Sequence, residues 1–130
     1  MKTSISIEIA PGELIDKITI LEIKLERIKD ADKLANVRLE WETLVKGRDA
    51  AIEETPELDR LSAELKAANE ALWDIEDDIR DCERDKKFGD AFVELARSVY
   101  ITNDKRAALK RQINELLGSS LIEEKSYSAY

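Results

Sequence analysis

An acidic stretch between positions 74 and 83 is the part of the sequence whose residue types and spacing most resemble a chemical site. If this stretch is helical, its aspartates share one face, because residues three and four apart are neighbours on a helix surface. These aspartates are Asp74, Asp77, Asp78 and Asp81. Carboxylates grouped in this way can hold a hard cation such as Mg²⁺ against a phosphate. A metal site would also need a second acidic cluster, for which Glu13 and Asp16 are the candidates.

A solvated helix face is the competing interpretation of the same acidic stretch. Charge runs commonly form such faces, and this one lies opposite an apolar stripe that contains Leu72, Ile75 and Ile79. We favour the solvated face. We therefore predict no cofactor, and keep Mg²⁺ as the alternative.

A second group of polar residues follows further along the chain and combines a tyrosine, an amide and two cations. Its members are Tyr100, Asn103, Arg106 and Lys110. Arg106 and Lys110 are one helical turn apart, so together they could bind a phosphate or a carboxylate. Alternatively, Arg106 pairs across a helix interface with acids such as Glu76 or Asp77, in a polar layer that fixes the register of the helices. We favour this pairing, because Arg106 interrupts an apolar stripe.

Four helices are expected to position these residues. Apolar residues spaced three and four apart predict helices over about 11–29 and from about 34 to just before Pro56. The same spacing predicts a third helix over 56–87 and a fourth over 90–117. Thr55 should cap the third helix, and Gly118 should end the fourth.

The first ten residues predict a different element. Polar and apolar residues alternate over residues 4–9, with Ile5, Ile7 and Ile9 on one face, which is typical of a β-strand. The predicted fold is therefore mainly α, an antiparallel helical bundle or long helical hairpin with one short N-terminal strand. We expect a single domain over residues 1–130, with the strand segment in 1–10, helices in 11–118 and a tail in 119–130.

Composition excludes several classes of function. The net charge of −8 disfavours binding to nucleic acid and to anionic membranes. With one cysteine and no histidine, the sequence cannot form an internal disulfide, a Cys/His zinc site or a histidine-based catalytic group. No apolar run is long enough to span a membrane, so we expect a cytoplasmic protein.

Several segments carry a resemblance to a known family. They read PGELIDKITILEIK at 11–24, LWDIEDDIR at 72–80, NDKRAALKRQIN at 103–114 and LGSSLIEEKSY at 117–127. In these segments the chain resembles a family of small bacterial and phage proteins catalogued as a domain of unknown function. The resemblance implies a bacterial or phage source. It also implies a link to cell-surface polysaccharide synthesis, because members often lie among genes of that pathway, and it supplies no catalytic residues.

The sequence leaves two kinds of function open. We favour an intracellular interaction or scaffold protein that serves surface-polysaccharide enzymes, and we expect a homodimer or a complex with a partner chain. A lone N-terminal strand would leave its backbone unpaired, which is the reason to expect a second chain. The alternative is a small enzyme without histidine, or a binder of a phosphate or nucleotide-sugar. It would use the carboxylates of the third helix with Arg106 and Lys110.

Overall fold

Four α-helices make up most of the computed structural model, which describes residues 2–130. They are α1 (Pro11–Arg27), α2 (Ala31–Ala51), α3 (Pro56–Arg84) and α4 (Asp90–Leu116). The prediction of a mainly α fold is therefore confirmed.

Local signals set where these helices begin and end. The Thr55 side chain accepts a hydrogen bond of 3.2 Å from the Leu58 backbone N–H, and Pro56 occupies the first turn, where its missing N–H costs nothing. At the same end of the bundle, Gly118 has a φ of 65°, a left-handed conformation that stops α4. Both of these boundaries were predicted from the sequence.

Helix α1 lies at the centre of the arrangement. It packs against each of the other helices, whereas α2 packs against α1 alone and contributes no buried residue. Helices α3 and α4 form a hairpin along which α1 lies. The described chain is thus a three-helix bundle of α1, α3 and α4, with α2 attached to its outside.

The apolar core occupies the end of the bundle where α1 and α3 begin and α4 ends. The buried cluster there consists of Ile15, Leu58, Leu61, Leu65 and Ile113, and α1 also buries Ile18, Leu21 and Ile23 further along its length. Further along α3 the apolar stripe is only half-buried, at Leu72, Ile75 and Ile79. The reason is that α1 ends at Arg27, which contacts Asp74, so the rest of the α3–α4 hairpin has no third helix to cover it.

The predicted N-terminal strand is wrong, because the described residues contain no strand. A strand needs a neighbouring strand for its backbone groups. The C-terminal tail does not supply one, since it runs back along α4, where Lys125 reaches Asp104. Ile5 and Ile7 consequently remain 83% and 75% exposed.

Candidate functional site

A buried ion pair joins α1 to α4. Asp16 is only 1% exposed, and both of its carboxylate oxygens accept from Arg106, from Nε at 2.9 Å and from Nη2 at 2.5 Å. This two-point geometry is the strongest form of an arginine–carboxylate pair. Arg106 is thus paired with an acid from another helix, as expected, but the acid is Asp16 rather than Glu76 or Asp77.

Neutral polar groups complete the surroundings of this pair. The Asn69 amide on α3 donates to Asp16 Oδ1 at 2.9 Å and to Thr19 Oγ1 at 3.0 Å, and the Thr19 hydroxyl donates to the Asp16 carbonyl at 2.7 Å. Every polar side chain of the group therefore has a partner, as buried polar groups require. The sequence showed Thr19 and Asn69 only as polar residues within apolar stretches, and we did not predict their role.

A second set of contacts lies one turn away, at the start of α1. The Gly12 N–H donates to Asn114 Oδ1 at 2.7 Å, and the Lys110 ammonium lies 2.6 Å from Glu13 and 3.1 Å from Glu123. Lys110 is 7% exposed. We call these buried polar residues, which lock α1 against α3 and α4, the polar cluster. Its members are Asp16, Thr19, Asn69, Arg106, Lys110 and Asn114.

The charges of the polar cluster stabilise one another. Burial raises the pKa of Asp16, but hydrogen bonds from Arg106 and Asn69 lower it more, so the pKa lies below its ordinary value of 3.8. Burial lowers the pKa of Lys110, but Glu13 and Glu123 raise it above its ordinary value. Hydrogen bonding to Asp16 raises the pKa of Arg106. All three groups are therefore charged at neutral pH, and none of these groups is poised to exchange a proton there.

The shifted pKa of Asp16 gives a pH-dependent prediction. Because the pKa is below 3.8 in the folded protein, the ionised carboxylate stabilises the fold above that value, and this contribution is lost as the pH falls through the folded pKa. We expect Asp16→Asn to lower the free energy of unfolding at neutral pH, by an amount that shrinks below about pH 4. Urea unfolding of both proteins across this range measures the difference. A penalty that stays constant with pH would contradict the assignment.

A cleft opens between α4 and the C-terminal tail, next to the polar cluster. It encloses a cavity of 660 Å³. Its polar lining is Asn103, Arg106, Lys110 and Arg111 from α4, with Glu123, Glu124, Lys125, Ser126 and Tyr127 from the tail. Three of the binding residues suggested by the sequence thus line one cavity. The fourth, Tyr100, lines an adjoining cavity together with Tyr127 and Tyr130. We call the two cavities together the α4–tail cleft.

The acidic residues suggested as metal ligands do not come together. Asp74 lies on α3 beside the last residue of α1, 2.5 Å from Arg27. Asp81 lies two turns further along α3, 3.0 Å from Arg84. Asp77 and Asp78 are exposed on the same helix. Glu13 and Asp16, by contrast, are paired with Lys110 and Arg106. Residues 2–130 contain no group of three or more acidic or cysteine side chains arranged to hold a metal ion.

An apolar groove lies on the opposite side of α1 from these charges. It has a volume of 730 Å³ and lies between the N-terminal segment, α1, α2 and the start of the tail. Its large apolar lining residues are Ile5, Ile7, Ile9, Leu14, Leu44, Ile52, Leu117 and Leu121. We call this surface the N-terminal groove.

None of the helices within residues 2–130 combines the length and the apolar character needed to cross a bilayer.

These features describe a small helical-bundle protein with a buried ionic cluster and two surface clefts. The chain belongs to the family of unknown function DUF6165, whose sequence model matches residues 5–130. Comparisons with curated proteins and with solved structures gave no match. The family membership confirms the resemblance to a domain of unknown function.

Proposed function

We propose that this protein is an interaction protein that works as a homodimer, in which a second copy docks on the N-terminal groove. The observation that carries the proposal is the amount of exposed surface. The chain exposes 9241 Å² for a mass of 14.8 kDa. A compact monomer of this mass exposes about 7,000 Å². Roughly 2,000 Å² per chain is therefore available for burial against another chain.

The N-terminal segment supplies part of the exposed apolar surface. Ile5 and Ile7 are exposed next to a groove that is itself apolar. Burying an isoleucine side chain contributes about 1.5–3 kcal/mol. In a two-fold dimer both copies bury these side chains, so the contribution of the segment to dimer stability is counted twice.

Unpaired backbone groups support the same surface. No hydrogen bond joins residues 2–9 to the rest of the described chain. The N-terminal segments of two copies could pair these groups with one another across a two-fold axis. A second copy is the simplest neighbour, because the exposed segment forms one wall of the groove, so that two copies can present the same surface to each other. Homodimers commonly bury 2,000–5,000 Å² in total, which the excess on two copies can supply.

We extend the proposal to the setting that the sequence resemblance implies. In it, the dimer is a cytoplasmic scaffold for enzymes of cell-surface polysaccharide synthesis in a bacterium or a phage-infected cell. Its partners are proteins, and neither nucleic acid nor a membrane has a part in it. This setting is supported by the sequence resemblance alone.

The docking surface is tested by removing its apolar side chains. We expect the double variant Ile5→Ser with Ile7→Ser to weaken self-association at least 100-fold in sedimentation equilibrium, because it removes two fully exposed apolar anchors from each copy. The matched control is Val93→Ser, which removes an exposed apolar side chain from α4 at the other end of the hairpin. Self-association that survives the double variant, or that Val93→Ser abolishes, would contradict this choice of surface.

A further inference from the structure

The sign of the charge reverses in one of the two cavities of the α4–tail cleft, the cavity next to the polar cluster. The protein carries a net charge of −8. The cavity next to the polar cluster is nevertheless lined by four cationic side chains and only two acidic ones. The cations are Arg106, Lys110, Arg111 and Lys125. A concave surface lined by one sign of charge focuses the electrostatic field and concentrates ligands of the opposite sign. The volume of 660 Å³ also lies within the usual range for small-molecule sites.

Two glutamates of the tail form ion pairs with cationic side chains of this cavity. Glu123 lies 3.1 Å from Lys110, and Glu124 lies 3.2 Å from Arg111. Both glutamates are more than half exposed. Arg111 is also well exposed, so its pair with Glu124 contributes only about 0–1 kcal/mol, whereas Lys110 is buried and keeps Glu13 as a second partner. Within the described chain, no backbone hydrogen bond ties residues 122–130 to α4. The tail is thus held mainly by side-chain contacts that a more highly charged anion can replace.

The adjoining cavity of the cleft is aromatic. Tyr100, Tyr127 and Tyr130 line this cavity of 660 Å³, which shares Asn103, Lys125 and Tyr127 with the cationic one. It also contains Asp104, which pairs with Lys125 and accepts a hydrogen bond from the Tyr130 hydroxyl. Aromatic side chains stack on planar rings and on the apolar faces of sugars. An anionic group and a ring can therefore be accommodated side by side along α4.

We propose that the α4–tail cleft binds a phosphate ester that carries a ring, such as a nucleoside diphosphate, and that Glu123 and Glu124 take the place of its phosphates in the free protein. Lys110 and Arg111 hold the phosphates, since a phosphate offers more charge and more acceptor oxygens than a carboxylate. Arg106 remains paired with Asp16 and adds positive charge to the wall of the cavity. The tyrosines hold the ring. This proposal does not depend on the dimer.

Calorimetric titration of the whole chain tests the site. We expect pyrophosphate and ADP to bind, ADP more tightly, with affinities that fall as salt is added, and we expect adenosine alone to bind far more weakly. Replacing the competing acids by Glu123→Gln with Glu124→Gln should strengthen binding about tenfold. Arg111→Gln should weaken it about tenfold. Arg60→Gln is the matched control, because Arg60 is an exposed, ion-paired arginine on α3 outside the cleft.

Each possible result bears on the proposal. Binding seen only after the two glutamates are neutralised supports it, because it shows that they fill the site. No binding of ADP or pyrophosphate to either the wild-type chain or the double variant overturns it. Equal effects of Arg60→Gln and Arg111→Gln also overturn it, because they indicate non-specific attraction. If ADP binds no more tightly than pyrophosphate, the proposal that the tyrosines bind a ring is overturned.

Discussion

Arg106→Ala will lower the free energy of unfolding by about 3–5 kcal/mol, the usual cost of breaking a buried ion pair by removing one partner. The Asp16 carboxylate, 1% exposed, would keep its hydrogen bond from Asn69 but lose its direct counter-charge. Urea unfolding monitored by far-ultraviolet circular dichroism measures the change. The matched control is Lys105→Ala, at an exposed neighbouring position on the same helix, which should change the free energy by less than about 0.5 kcal/mol.

The same pair allows a stricter test of where this cost comes from. If the cost arises from the uncompensated Asp16 charge, removing that charge as well should recover part of it. We therefore expect Arg106→Ala with Asp16→Asn to be more stable than the sum of the single effects indicates. Strict additivity, or an Arg106→Ala effect as small as that of Lys105→Ala, would mean that the pair does not stabilise the fold.

Gly12→Ala will destabilise the protein by about 3 kcal/mol or more. A Cβ atom at this position would lie 2.4 Å from the Lys110 carbonyl oxygen and 2.8 Å from Asn114 Oδ1. The carbonyl belongs to the α4 backbone and cannot turn aside, so α1 and α4 must separate. Overpacking of this kind costs about 1–3 kcal/mol. Loss of the buried hydrogen bond from the Gly12 N–H adds about 1–3 kcal/mol.

The same exchange at Gly47 is the control for Gly12. Gly47 lies within α2, and a Cβ atom there would meet no atom within 4 Å. Alanine is a better helix former than glycine, so Gly47→Ala should stabilise the protein by about 0.5–1 kcal/mol. Thermal and urea unfolding of both variants should thus give effects of opposite sign. A neutral Gly12→Ala would show that α1 and α4 are not in close contact there.

The helices could be predicted from the sequence because their signals are local. The apolar spacing, the pair Thr55–Pro56 and Gly118 act within a few residues of the boundaries that they set. The burial of Arg106 was predictable for a related reason, since it replaces an apolar residue in a helical stripe. The spacing of apolar residues along a helix does not show how deeply the apolar stripe is buried. The stripe of α3 loses its cover where α1 ends at Arg27.

The partners of the buried charges could not be predicted, because they depend on which helices face each other. Asp16 is separated from Arg106 by 90 positions. Near the start of a helix, it resembled an ordinary first-turn acid or a metal ligand. Lys110 was a ligand-binding residue only in the alternative interpretation of the sequence, and its contact with Glu13 depends on the same packing of α1 against α4. The path of the tail along α4 could not be predicted either. Ion pairs from Glu123 and Glu124 hold it there, and no periodic sequence pattern indicates them.

The alternation of Ile5, Ile7 and Ile9 gave a strand prediction that a single described chain does not fulfil. Alternation shows that one face of a segment is apolar, but a strand also requires a neighbour for its backbone. Residues 2–9 have no such neighbour within the described chain, so the strand prediction is wrong. Ile5 and Ile7 accordingly remain exposed.

Self-association of the wild-type chain is therefore the central claim, and its mass in solution tests it most directly. Static light scattering at micromolar concentration should give about twice the chain mass of 14.8 kDa, and the value should fall toward the chain mass on dilution. A mass of 14.8 kDa that does not change over the accessible concentrations would contradict the account.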